Sequence, residues 1–242
     1  MGGQMVVEQE RLIARVLDLF AQRFPRRAVL RGGMVMRVLG SPRFTNDLDY
    51  LFFPYRSKKD IVEEVVSCLK RIEAASVSYS LNSKCLRVVV TVGDATVQVE
   101  AKVALSVRTA KASTRLVARA FGLPPRMVLV AEHSVSLANK LAAWNERRLM
   151  RDLYDVWFFL QMGVKPDEET LRERLRKPAY SRLVKPEKRF VGVSPADFYE
   201  FVREHVSRLT DADIADELAD YLPADELPGL AMQLRSGFTR LH

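Results

Sequence analysis

Two carboxylates one residue apart, Asp47 and Asp49, stand immediately before an apolar run, Tyr50-Leu51-Phe52-Phe53. Alternate residues of a strand share a face, so this spacing predicts both acids on one side of a sheet, at its mouth. Like charges held so close repel each other. A hard divalent cation removes that repulsion, and Mg²⁺ takes carboxylate oxygens together with substrate phosphates. Upstream, Gly32-Gly33 follows the short apolar stretch Ala28 to Leu30. Without a Cβ, the backbone N–H groups of such a pair can approach an anion at a helix start. The stretch Val29 to Phe53 therefore reads as strand, phosphate-facing glycine loop, short helix, turn and strand. A lone Asp-x-Asp is usually a solvated turn, and a lone Gly-Gly a tight bend. In this order and context the two fit phosphoryl-transfer chemistry.

Such a site still lacks cations, and a second stretch supplies them. From Ser136 to Met162 there is no glycine or proline, which predicts one long helix. At about 100° per residue, Lys140, Trp144, Arg147, Arg151 and Asp155 fall on one face, with Asp152 at its margin. Leu149, Leu153, Val156 and Leu160 occupy the opposite side. Lysine and arginine on such a stripe would neutralise phosphate charge as it develops in a transition state. The competing reading is a surface helix laced by i,i+4 pairs such as Arg151 with Asp155. A third carboxylate, Glu100, sits mid-strand with Gln98 and Lys102, opposite in face to Val97, Val99, Ala101 and Val103. It is either a further metal ligand or an ion-paired group on an exposed strand face.

The elements that must position these groups change character along the chain. An amphipathic helix is predicted over residues 8–24, ended by Pro25. A further helix is predicted from Lys59 to Ile72, with strands at Val77 to Leu81, Leu86 to Val92 and Ala95 to Leu105. Past about residue 106 helical patterns dominate, with helix starts at Ser194-Pro195 and at Thr210 with Asp213. The expected fold class is α+β: a mixed sheet with flanking helices, then a mostly helical C-terminal half. The expected division is 1–105 for the α/β core and 106–242 for a helical domain completing the cleft, the two packed as one body.

A chain of 242 residues can bury one large core or two small ones. No apolar run approaches bilayer length, and Glu8, Glu10 and Arg11 interrupt any signal-peptide core. Two cysteines and three scattered histidines form no disulfide framework or ligand cluster. The expectation is a cytoplasmic protein without membrane contact. The formal charge of +8 is unevenly spread. Ala101 to Arg126 carries bases and no acid, Arg172 to Arg189 is strongly basic, and acids crowd residues 211–226. The basic stretches are either solvated helix faces or surfaces for a phosphate backbone.

Gly32-Gly33-x-x-x-Arg37, Arg43-x-Thr45-x-Asp47-x-Asp49, and Lys140 followed by Arg147 and Arg151-Asp152-Leu153-Tyr154-Asp155 together resemble the AbiEii/AbiGii nucleotidyltransferase toxin family, within the DNA polymerase β-like nucleotidyltransferases. The resemblance runs from about residue 28 to residue 160. It implies that Gly32 and Gly33 form the phosphate loop and that Asp47 and Asp49 hold Mg²⁺. It also implies that Lys140 binds the nucleotide phosphates and that Asp155 or Asp152 is the distal catalytic acid. Arg43, Thr45, Arg147 and Arg151 complete the expected nucleotide site; Thr45 stands where a serine is usual in the family. The implied activity is Mg²⁺-dependent transfer of a nucleotide from an NTP to RNA, above all the acceptor end of tRNA, by a toxin with a cognate antitoxin. Two alternatives stay open: a catalytically silent RNA- or protein-binding module, and a transferase acting on a protein hydroxyl.

Overall fold

In the computed structural model the described residues are 2–242, and side chains are described from Val6 onward. They form two compact units: one of residues 1–41 and 45–131, the other of residues 42–44 and 132–242.

The first unit holds a seven-stranded mixed sheet. In chain order its elements are α1 (Gly2–Arg23), β1 (Ala28–Arg31), α2 (Gly33–Val38), β2 (Asp47–Phe52), α3 (Lys59–Leu69), β3 (Ser76–Leu81), β4 (Leu86–Val92), β5 (Ala95–Val103), β6 (Thr109–Ser113), α4 (Arg115–Ala120) and β7 (Met127–Ala131). The strand order is β3-β4-β5-β2-β1-β7-β6. β2 lies at the centre, antiparallel to β1 and parallel to β5. Its burial alternates as period-two side chains must: Leu48, Tyr50 and Phe52 are buried, while Asp47 is exposed and Asp49 half-buried. The buried face packs on α1, where the Phe20 and Tyr50 rings lie 4.5 Å apart and the Phe24 and Phe52 rings 5.1 Å apart. Burial pushes the Tyr50 phenol far above its ordinary range, so it stays a neutral packing group. In β5, Val97, Val99 and Ala101 are buried and Gln98 and Glu100 are not, as their alternation predicts.

The helix-dominated half expected after residue 106 begins later than that. β6 and β7 pair antiparallel at residues 109–113 and 127–131, and β7 joins the sheet beside β1. The edge strand β6, Thr-Ala-Lys-Ala-Ser, is short and half polar, so nothing in its composition announces a strand.

The second unit contains α5 (His133–Arg147), α6 (Met150–Gln161), α7 (Glu168–Arg176), α8 (Pro195–Ser207), α9 (Asp211–Leu218) and α10 (Leu230–Phe238) around Trp144, Phe159, Phe198, Leu234 and Phe238, all buried. The two expected helix starts are present. Ser194 accepts from the Asp197 N–H, with Pro195 in the first turn, and Thr210 with Asp213 forms a reciprocal capping box. The single helix expected from Ser136 to Met162 is in fact two. Arg148 takes a left-handed conformation (φ 53°) and Leu149 is extended, so the chain turns between α5 and α6. The break has no glycine or proline to signal it. Its supports come from elsewhere: the Glu217 carboxylate accepts from the Met150 N–H at 2.9 Å, and the Arg148 guanidinium lies 4.2 Å over the Trp144 ring. Among the described residues no helix is long and apolar enough to cross a membrane.

Candidate active site

The acid group belongs to the first unit. β1 ends at Arg31, opposite Asp49 in the antiparallel register. Gly32 then adopts φ 69° and ψ −152°, a region essentially closed to residues with a Cβ, before α2 begins at Gly33. A Cβ on Gly32 would lie 2.2 Å from Oδ2 of Asp49. The glycine is therefore required twice, by its backbone conformation and by the carboxylate laid against it. Asp47 and Asp49 share one face of β2, the face opposite the aromatic core. Register with β5 sets Asp47 beside Gln98 and Asp49 beside Glu100.

Glu100 is committed to an ion pair. Its Oε1 accepts from Arg87 Nη2 at 2.8 Å, Arg87 Nε at 3.2 Å and Gln98 Nε2 at 3.2 Å. Hydrogen bonding to Glu100 in turn raises the Arg87 guanidinium above its ordinary value. Among the described residues no group of three or more His, Cys, Asp or Glu side chains is arranged to hold a metal. Asp47 and Asp49 are hard oxygen donors on one strand face, of the kind that could hold a divalent cation.

The basic group belongs to the second unit and is a closed network. Lys140 Nζ lies 2.5 Å from Asp155 Oδ2 and 3.7 Å from Asp152 Oδ1. Arg43 grips Asp155 with both arms, Nε to Oδ1 at 2.8 Å and Nη2 to Oδ2 at 3.1 Å. Arg147 grips Asp152 likewise, at 2.6 and 2.7 Å. Both aspartates are fully buried, Arg43 is 4% exposed, and Lys140 keeps 15% of its side chain open. Asp152 and Asp155 are three apart on α6 and so share its face. The turn at Arg148 swings that face toward Lys140. The projection on one continuous helix put only Asp155 beside Lys140; the corner between α5 and α6 brings both. Hydrogen bonding to Asp152 raises the Arg147 guanidinium, against the opposing effect of burial.

Two members of the expected stripe go elsewhere. Trp144 is a core residue, 1% exposed. Arg151 turns to Tyr221, donating to its hydroxyl at 3.3 Å with the guanidinium 5.5 Å from the ring centroid. Thr45 lies in the non-regular stretch before β2. Arg43 is close in sequence to the acid pair, yet it works in the ion network of the second unit. No local pattern could show this, because its partner is 112 residues away. Sequence reading also missed Asn145 and Glu146. They are buried at the end of α5 and hydrogen bonded to the segment that follows α7. Their only signal would have been polar residues on a buried helix face.

Three cations against two carboxylates leave the Lys140 network one net positive charge, with Arg147 at 34% and Lys140 at 15% side-chain exposure beside fully buried acids. Such a group can hold a phosphate but is poorly suited to proton transfer, since each aspartate accepts two bonds from an arginine fork.

The family model for the AbiEii nucleotidyl transferase toxins of type IV toxin–antitoxin systems matches residues 11–235. Among solved structures, the chain is similar to MenT4, a nucleotidyltransferase toxin from Mycobacterium tuberculosis H37Rv. The TM-score is 0.57 and the identity 16%, over 96% of this chain and 82% of that one. It is also similar to JHP933 from Helicobacter pylori, with a TM-score of 0.53 and 14% identity, over 96% of this chain and 89% of that one. At these identities the likeness speaks for the fold. No curated protein sequence matches the chain.

Proposed function

Since this chain belongs to the AbiEii nucleotidyltransferase toxin family of type IV toxin–antitoxin systems, we propose that it transfers a nucleotide from an NTP to RNA. The proposed acceptor is the 3′ end of tRNA, the consequence a block of translation, and the setting the cytoplasm. Membership already makes it a nucleotidyltransferase enzyme with an NTP as substrate and an antitoxin as partner.

The observation that carries the reading is the seating of Asp49 on Gly32, with Asp47 on the same strand face. Asp47 and Asp49 would hold Mg²⁺. When bound, the ion supplies Lewis-acid stabilisation of the α-phosphate and lowers the pKa of the attacking hydroxyl. Gly32 leaves room for the Asp49 carboxylate, with which any Cβ would collide, and so lets the acid lie against the glycine turn. Lys140 neutralises triphosphate charge, most of all as the pyrophosphate leaves. Asp152 and Asp155 act as positioning residues: they fix the ammonium of Lys140 and are themselves fixed by Arg147 and Arg43. The hydroxyl loses its proton to solvent as its oxygen attacks the α-phosphorus, the bond to the bridging oxygen breaks and pyrophosphate leaves, and no covalent enzyme intermediate is needed.

The test is incubation of the full chain with NTPs labelled in turn, Mg²⁺ and total tRNA. Label on tRNA with wild type and none with Asp47→Ala is the expected result. Equal transfer by Asp47→Ala would overturn the proposal. Label on protein in the absence of RNA would move the acceptor to a protein hydroxyl. RNA binding without any transfer would favour a silent module.

A further inference from the structure

The segment after α7, residues 177–191, has no regular structure beyond one short 3₁₀ turn, yet it is tied down throughout. Arg189 sits inside the loop and donates to three of its carbonyls, those of Ala179, Ser181 and Val184. Asn145 of α5 clasps the Phe190 backbone from both sides, accepting from its N–H at 2.9 Å and donating to its C=O at 2.8 Å. Glu146 accepts from the Ala179 N–H at 2.8 Å. Arg148 donates to the Lys188 carbonyl at 2.9 Å, and the Gly192 N–H reaches the Leu175 carbonyl at 3.0 Å. Underneath, Val184 is buried and the Phe190 ring lies 4.3 Å from Phe201. Asn145 and Glu146 are themselves buried, at 1% and 7% exposed. The Arg148 pKa is lowered to about 10 by burial and then by the charge of Arg189, as befits two arginines used as internal braces.

What this scaffold turns outward is of a different kind. Lys177, Arg182, Lys185 and Lys188 are exposed, and Glu187 is the one acid between Lys177 and Val191. Between the cations stand Tyr180 at 75% and Leu183 at 65% exposure. Stability gives no reason to hold a tyrosine and a leucine in water on a braced loop. A phosphate backbone met by several cations, with bases resting on an aromatic ring, gives one. The bracing also matters for affinity: a loop already ordered gives up little entropy when a partner arrives. Its anchor, Glu146, lies six residues beyond Lys140 on α5, about 9 Å along the helix axis.

We infer that residues 177–191 form a preformed platform for the acceptor RNA, with Lys177, Arg182, Lys185 and Lys188 on phosphates and Tyr180 under a base. The inference rests on the reading of an RNA acceptor and names where on the chain that acceptor is held.

The experiment is binding of labelled total tRNA to the full chain over a range of about 50 to 200 mM salt. It compares wild type with the quadruple variant Lys177→Ala, Arg182→Ala, Lys185→Ala, Lys188→Ala and with Tyr180→Ala. The quadruple variant should lose about 3 from the slope of log K against log salt, and roughly 100-fold in affinity at low salt. Tyr180→Ala should lose roughly tenfold with the slope unchanged. Protection of Lys177, Lys185 and Lys188 from acylation when tRNA is added to the wild-type chain gives the same answer without a variant that must fold. Undiminished binding by either variant, unprotected lysines, or binding to anionic phospholipid vesicles in place of tRNA would overturn the inference. Binding does not require turnover, so Asp47→Ala should bind tRNA as wild type does. A chain that binds through the platform but transfers nothing would sink the proposed reaction and leave the platform standing.

Discussion

The two groups of charged residues are built on opposite plans. In the first unit, Asp47 and Asp49 stand at the start of a strand, exposed and half-buried, on the polar face of an otherwise apolar element. In the second unit, Asp152 and Asp155 are fully buried and gripped by arginine forks, with Lys140 drawn in between them. Acids of the first kind keep part of their surface open to solvent. Acids of the second kind are already neutralised and serve to hold a lysine in place. The difference teaches that carboxylates of one family motif need not share one job. It also separates what mutations should do: damage to the first group should appear in turnover, and damage to the second also in stability.

The largest contrast is expected at Asp47. Asp47→Ala should lower label transfer by roughly 10³-fold, since metal-borne charge stabilisation is worth several kcal/mol and each tenfold is about 1.4 kcal/mol. Its urea midpoint should stay near the wild-type value, as for most exposed sites. Asp155→Ala should do what Asp47→Ala does not. It removes the carboxylate that accepts both arms of the Arg43 guanidinium, which is 4% exposed. Loss of one member of a buried pair costs about 3–5 kcal/mol, readable as a lowered urea midpoint. An Asp155→Ala chain as stable as wild type would erase the distinction between the two groups.

Gly32→Ala sharpens the comparison from within the acid group. The new Cβ must displace the Asp49 carboxylate and adopt a backbone conformation suited to glycine. Misplacement of a reacting group by about 1 Å can cost roughly 10²-fold, so transfer should fall by that order, with a modest loss of stability from strain.

The smallest effect should be a pH dependence confined to the second unit. Burial, then the charges of Arg148 and Arg208, hold the His205 imidazole below its ordinary value, against Asp213 and Glu217. The folded form therefore binds this proton less readily than the unfolded chain. Stability is full above the unfolded value of about 6.5 and declines as pH falls below it, until the folded group also titrates. Denaturation midpoints at about pH 7.5 and 5.5 should differ less in His205→Gln than in wild type.

Much of the acid group was legible in the sequence because its logic is local. Asp47, Leu48, Asp49 and Tyr50 alternate, and period two alone assigns their faces. Gly32 precedes a helix and follows an apolar strand, which is where a backbone of unusual conformation is wanted. The basic group was legible only in composition. Its geometry depends on a helix break at Arg148 imposed by Trp144 and Glu217, and on a pairing of Arg43 with Asp155 across most of the chain. Neither leaves a periodic trace. The same holds for β6, whose pairing with the apolar, valine-rich β7 overrode its weak strand propensity, and for the loop at 177–191. Its basic composition could be read, but its bracing by Asn145, Glu146 and Arg189 could not.

The central claim is that the chemistry is nucleotidyl transfer, with the α-phosphate as the point of attack. Parallel reactions with the same NTP labelled at the α or at the γ position, with Mg²⁺ and tRNA, address it directly. The account predicts α-label retained on the RNA and γ-label released as pyrophosphate. Retention of the γ-label on the acceptor, or α-label released as free nucleotide with none on any acceptor, would contradict it.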